Sequence, residues 1–175
     1  ALGGSNVYGF MNFPHRLTMS TFTNPTLAAW PPETAYNEVL AALQTLGNQN
    51  FTGPFRMYYS RPWFQYVNRQ FSIAGGNNAS ETLLTMLKKV PRIAGVEQID
   101  RLTATTASTA TKFVFVFVQM TSDVAGAING MEITTVQWPT IGGLRQNYKI
   151  MAIWVPLMMS DYKGQCGILH GTTAS

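Results

Sequence analysis

Two histidines, one cysteine and eight carboxylates are the side chains with which this chain could do acid–base, nucleophilic or metal chemistry. His15 and His170 stand near opposite ends, and neither forms a recognised metal-ligand pattern with a carboxylate or with Cys166. Cys166 is alone, so no intrachain disulfide and no cysteine-based metal cluster can form, and a buried, inert thiol is the expectation. The acids are Glu33, Glu38, Glu81, Glu97, Asp100, Asp123, Glu132 and Asp161. Glu97 and Asp100 are close in sequence, but residues three apart on a strand face opposite sides, which argues against a working pair. Gly75-Gly76 and Gly142-Gly143 lack the context of a phosphate loop and read as turns. No serine sits in a GxSxG elbow. Asn50-Phe51-Thr52 and Asn78-Ala79-Ser80 match the glycosylation sequon and, without a secretory signal, read as a loop and a helix cap. Tyr58, Tyr59, Trp63, Phe64 and Tyr66 could stack bases, but no basic groove accompanies them, and packing is the expectation. These residues assign no catalytic, cofactor-binding or metal site. The expectation is a protein that is not an enzyme and takes no cofactor.

The elements around these residues read as α+β. Residues 1–30 are extended or irregular, with turns at Gly3-Gly4 and Asn24-Pro25. Trp30-Pro31-Pro32-Glu33 opens a helix, since proline suits the first turn and glutamate the positive end of the dipole. Ala35, Val39, Ala42, Leu43 and Leu46 recur at helical spacing, and Gly47 is the expected stop. Phe55–Tyr59 reads as a strand after the Gly53-Pro54 turn, and Arg61-Pro62-Trp63 starts a second helix. Asn78 with Glu81 resembles a capping box for a third helix, which carries Leu83, Leu84, Met86, Leu87 and Val90 and ends at Pro91. Ile93 to Leu102 reads as a strand. Thr103 to Thr111, small and polar, reads as an exposed loop. From Lys112 onward strands dominate: Phe113–Val118, the stretch into Trp138-Pro139-Thr140-Ile141-Gly142-Gly143, Tyr148–Met159, and Tyr162–Leu169. Their apolar content predicts strands that bury both faces.

Composition narrows the function classes. Charged residues make up 11 % of the chain and apolar ones 46 %, against roughly 25 % charged in ordinary soluble domains. No run approaches the about 20 apolar residues of a spanning helix, and disorder needs low hydrophobicity with high net charge. A subunit that hides its surface against copies of itself fits best, because obligate interfaces resemble a core cut in half. The net charge is +4, yet Lys88-Lys89 and Arg92 are the nearest thing to a basic cluster, and a solvated helix end accounts for them. Contact with nucleic acid would be non-specific, through phosphates.

Several segments together resemble tailed-phage major capsid proteins of the Hong Kong 97-type fold. Val7-Tyr8-Gly9-Phe10-Met11-Asn12-Phe13-Pro14 is similar to a "G-L-x-N-x-P" segment of that family, and Trp30 through Leu46 to its next helix. Gly53-Pro54-Phe55-Arg56-Met57-Tyr58-Tyr59-Ser60 resembles its "G-P-Y" strand. Thr82–Leu87 with Pro91 and Ile93 resembles its "T-V-L-x-x-L … P-x-I" helix and strand. The closing strands follow in the family's order.

The resemblance implies an axial and a peripheral lobe, with residues 1–30 a peripheral segment, 31–135 the axial lobe, and 136–175 closing strands that return to the periphery. It also implies that an N-terminal arm, an extended loop and a spine helix should precede Val7, so that the chain corresponds to the C-terminal part of a longer capsid protein, or to ordered segments of one. No motif for covalent subunit cross-linking is present. The implied function is a structural subunit that self-assembles into hexamers and pentamers of an icosahedral shell around phage DNA, in the virion after assembly in the host cytoplasm. Its partners would be other copies, with cement or scaffolding proteins and non-specific DNA contact left open, and no membrane. An encapsulin-type nanocompartment shell is the alternative of the same fold, and a small ligand-binding or enzymatic α+β domain is the alternative of another class.

The run Phe113–Val118 yields a direct test. Strand side chains alternate, so its phenylalanines share one face and its valines the other, and neither face carries a polar residue. A central strand follows, covered on both sides by the helices at Ala35–Leu46 and Leu83–Val90. An unpaired buried charge costs several kcal/mol. Phe115→Lys and Val116→Lys should each abolish soluble protein on expression. Normal yield of either would mean that one face is open to solvent.

Overall fold

The alternation of bulky and branched side chains at Val114–Gln119 places this strand in the middle of the fold. The computed structural model describes residues 7–22, 32–71, 81–100, 102, 114–140, 142–143 and 145–173. In chain order the elements are β1 (Leu17–Phe22), α1 (Pro32–Asn48), β2 (Phe55–Tyr59), α2 (Phe64–Val67), β3 (Gln70–Phe71), β4 (Glu81–Thr82), α3 (Leu83–Lys88), β5 (Ile93–Gln98), β6 (Val114–Gln119), β7 (Ala125–Pro139), β8 (Gln146–Met158) and β9 (Ile168–Thr173). A 3₁₀ turn at Arg61–Trp63 leads into α2. The architecture is α+β. A mixed five-stranded sheet runs in the order β1-β9-β6-β2-β5, and β3-β4 and β7-β8 form separate two-stranded pairs.

β6 lies antiparallel between β2 and β9, and Val114 through Val118 are fully buried. Phe115 and Phe117 face a core built with Phe55, Met57 and Tyr59 of β2, Leu169 of β9, the apolar stripe of α1, and Leu83 and Leu87 of α3. Val114, Val116 and Val118 face a smaller core with Phe13, Leu102, Val124, Cys166 and Ile168. Two-sided burial is therefore observed, but its cover differs from the expectation. Both helices pack on the phenylalanine face, while the valine face is covered by the irregular segment around Phe10, Met11 and Phe13 and by the chain entering and leaving β7-β8. Short valines leave only a shallow layer, which a turn-rich segment fills. The deep layer of rings needs a helix with alanines at Ala35 and Ala42.

Phe115 organises the helical side. Its ring meets Phe22 edge-on at 4.0 Å, Trp63 at 5.7 Å and Phe117 at 5.6 Å, geometries that suit the aromatic quadrupole. It lies across the backbone of Gly171, its cross-strand partner on β9. Buried Ser60 fixes the start of β6: its N–H donates to the Val114 carbonyl at 2.9 Å and its hydroxyl accepts from the Val114 N–H at 3.1 Å.

Several boundaries differ from the expectations for local reasons. α1 runs through Gly47, where the Arg92 guanidinium occupies the space a Cβ would need, and the chain turns at Asn50 with φ 65°. α3 is capped by the Thr82 hydroxyl, which accepts from the Thr85 N–H at 3.3 Å, and it ends at Lys88. Glu81 instead pairs with Lys89, and Asn78 lies outside the described residues. β5 stops at Gln98, where a turn closed by Leu102 N–H to the Ile99 carbonyl swings Leu102 into the valine-side core. Leu17–Phe22, within the stretch expected as extended or irregular, forms the edge strand β1, parallel to β9. The turns at Gly3-Gly4, Asn24-Pro25 and Gly75-Gly76, the Trp30-Pro31 helix entry, Phe113 and the Thr103–Thr111 loop lie outside the described residues. The sheet draws β1 from residues 1–30, β2, β5 and β6 from 31–135, and β9 from 136–175, while the 135/136 division falls inside β7.

A methyl group on Gly171 would overlap the Phe115 ring, whereas one on Gly126 would meet nothing within 4 Å. Gly171→Ala should therefore lower stability by about 1–3 kcal/mol, the usual cost of overpacking. Gly126→Ala should leave the denaturation midpoint of the sheet within error of the parent. Equal midpoints for the two variants in urea would contradict this packing.

Candidate assembly surface

β7 and β8 carry the most unusual surface of the molecule. The strands are 15 and 13 residues long and pair antiparallel from Ala125–Met158 at the base to Pro139–Gln146 at the tip. Gly142 and Gly143, at φ 104° and 69°, form the turn, a backbone conformation that residues with a Cβ rarely adopt. The Thr140 N–H donates to the Arg145 carbonyl at 2.9 Å and closes the turn. Near the tip Gln146 bonds Gln137 and Asn147 bonds Thr140, a polar end to the ribbon. Register slips after Asn129 and after Met131 bend β7 near its middle.

Alternation along β8 puts Tyr148, Ile150 and Trp154 on one face. Ile153, Val155 and Leu157 take the other, with Ile128, Val136 and Trp138 of β7 opposite residues of that side. Both faces are open: Ile133 and Ile150 are 72 % and 71 % exposed, Trp154 64 % and Ile153 54 %. Glu132 and Lys149 are the charged residues of the two strands. Only the base touches a core, where Ala125 and Met158 pack against the valine-side cluster. The expectation that the closing strands bury both faces thus holds for β6 and fails for β7 and β8 in the single chain. No second layer of this chain's described residues covers them. A two-stranded ribbon is marginal in water, and apolar patches of this kind mark interaction sites. Its outer strand edges are unpaired as well. The arrangement can bind; it holds no group placed for bond chemistry.

The residues weighed for chemistry are dispersed. His15 is exposed and packs edge-on to Phe13 at 5.7 Å, while His170 lies within β9. Glu97 pairs with Arg56 at 2.9 Å and Asp100 accepts from Gln98, so the two acids have separate partners. Among the described residues no three His, Cys, Asp or Glu side chains group to hold a metal. The aromatic set is split: Tyr59 and Trp63 lie in the helix-side core, Tyr58 stacks on Phe10 across the other face, and Phe64 is exposed. Lys89 pairs with Glu81 and Arg92 lies against Gly47, so the basic cluster is no patch. Asn50 occupies the left-handed turn after α1. Among the described residues no helix is long and apolar enough to cross a membrane.

Cys166 is fully buried, and burial pushes its thiol up to about 11, against a smaller opposing effect of a backbone hydrogen bond at Ile168. Thiolate is the reactive form. Cys166 should therefore resist iodoacetamide at pH 8 in the folded protein and react fully in denaturant, as read by intact mass. Rapid alkylation of the native protein would show that the valine-side core opens.

Comparisons with known proteins bear on the ribbon and the sheet together. Residues 1–171 match the model of a family described as a family of unknown function (DUF6260). No curated protein sequence matches. Among solved structures, a virus-like particle from Pyrococcus furiosus is similar at 17 % identity with a TM-score of 0.56, covering 92 % of this chain and 58 % of that one. A protein of Mycobacterium phage Che8 is similar at 8 % identity with a TM-score of 0.57, covering 90 % and 53 %. The chain spans little more than half the length of these two. At such identities the likeness is one of fold.

Proposed function

The chain belongs to DUF6260, a family of unknown function, and from its fold and its uncovered ribbon we propose that it is a structural subunit of a self-assembled protein shell. The observation that carries this reading is the two-faced apolar exposure of β7-β8. A solitary protein has no use for such a surface, whereas a shell subunit buries it against further polypeptide, other copies above all. The likeness to a virus-like particle and to a phage protein supports the same reading.

In its finer form, the protein is a tailed-phage major capsid protein of the Hong Kong 97-type fold that encloses phage DNA in the virion. Residues 31–135 would be the axial lobe near the capsomer axes, and residues 1–30 with the closing strands of 136–175 would belong to the peripheral lobe. Copies of the chain would be its main partners. Cement or scaffolding proteins and non-specific DNA contact are compatible with its surface charge of mixed sign. An encapsulin-type compartment is the second reading, favoured by the likeness to the Pyrococcus furiosus particle. Genomic neighbours separate the two: terminase, portal and protease genes accompany a capsid, and a cargo enzyme accompanies a compartment.

Ile150 and Ile153 lie on opposite faces of the ribbon and are exposed in the single chain. Ile150→Glu and Ile153→Glu should keep the circular dichroism of the parent yet lose shells, because a buried unpaired carboxylate costs several kcal/mol at a contact. Analytical ultracentrifugation and negative-stain microscopy of the full-length product read the result. A parent that stays monomeric at high concentration, or variants that assemble like the parent, would overturn the proposal.

A further inference from the structure

On the valine face of the sheet, two buried nitrogen atoms lack hydrogen-bond partners among the described residues: Nε2 of His170 and Nε of Arg16. Buried polar atoms are nearly always satisfied, so these two stand out. The sheet register explains how they come together. His170 sits on β9 directly between Val116 of β6 and Thr18 of the edge strand β1. Arg16 enters β1 two residues before Thr18, and its guanidinium donates to the Phe13 carbonyl at 2.8 Å. The same segment carries Phe10, Met11 and Phe13, which roof the valine-side core. Arg16 and His170 are therefore the polar joint between that roof and the sheet.

We propose that His170 and Arg16 form an acid-sensitive latch that holds the segment 7–22 on the valine face. Folding leaves His170 neutral, since burial and then the Arg16 charge lower its proton affinity. Protonation would put a second cation near Arg16, two residues before the Thr18 that neighbours His170, and like charges repel. Among the described residues the sheet puts the carboxylate of Glu97 of β5 on this face, but it lies beyond β6 and β2 from His170 and is paired with Arg56 of β2, so it does not offset that charge. His15 comes from the roof, Tyr58 from β2 and Cys166 from the approach to β9, and β6 presents only valines. Asp161, in that approach, is exposed and accepts from the Lys163 and Gln165 N–H groups. The unfolded histidine takes its proton near pH 6.5 and the folded one at lower pH. The latch is fully closed above that value and weakens as pH falls below it.

β1 is the part released, because among the described residues β9 is its sole strand partner, whereas β6 and β9 are each paired on two sides. Release would bare the valine face and the base of the ribbon, and it would also withdraw Leu17, Met19 and Phe22 from the helical-side core. This inference does not depend on shell assembly.

Hydrogen exchange on the purified protein, corrected for the intrinsic pH dependence of amide exchange, tests it. Between pH 7.5 and 5 the amides of β1 should lose at least about tenfold more protection than those of β5. His170→Gln, neutral throughout, should abolish that difference. Arg16→Gln should reduce it and serves equally if the first variant does not fold. Equal loss in β1 and β5, or an unchanged difference in a folded variant, would overturn the proposal.

Discussion

The contact between the Phe115 ring and the bare backbone of Gly171 sets the arrangement of the helical side. With no Cβ on Gly171, the ring can lie flat across β9, and Phe22, Trp63 and Phe117 close around it. Those rings come from β1, from the turn before α2 and from β6 itself, so one side chain ties together segments far apart in sequence. α1 then covers the cluster with small residues where the rings stand highest. The valine side needs no such depth, which is why an irregular roof suffices there.

Where local chemistry decides, the sequence is a good guide. The apolar stripe of α1, the Phe55–Tyr59 strand, the Pro62 turn and the two apolar faces of β6 are all readable because their period or their proline leaves one option. What escapes are features fixed at long range. Nothing in Gly47 announces that Arg92 will fill its empty side and let the helix continue. For Leu17–Phe22 the residues leave extended and irregular chain both open, and only pairing with β9 decides for a strand. That α1 and α3 share one face of the sheet depends on the volume of phenylalanine against valine, not on any periodicity.

The candidate surface was half legible. Apolar residues from Trp138 to Met159 suggest strands that demand cover on both faces, and composition suggests a subunit that hides its surface. Sequence patterns cannot tell cover supplied by the same chain from cover supplied by another. The structure separates the cases: β6 finds both of its layers within the described residues, and β7-β8 finds neither. Two stretches that look alike as text thus differ in how much of their cover lies within the described residues.

That difference also accounts for the scarcity of charge. A two-stranded ribbon standing free in water would need polar residues on at least one face and protection along its edges. This one has Glu132 and Lys149 in its two strands and leaves tryptophan and isoleucine open on both sides. The same scarcity that would make a lone chain prone to nonspecific association suits a subunit whose partners arrive in fixed geometry, because closed symmetry limits how many copies can add. At its base the ribbon packs through Ala125 and Met158 against the valine-side core. A roof that loosens on that core would also loosen the contacts of Ala125 and Met158, so the packing of Phe10, Met11 and Phe13 bears on the base of the ribbon although none of them lies in it.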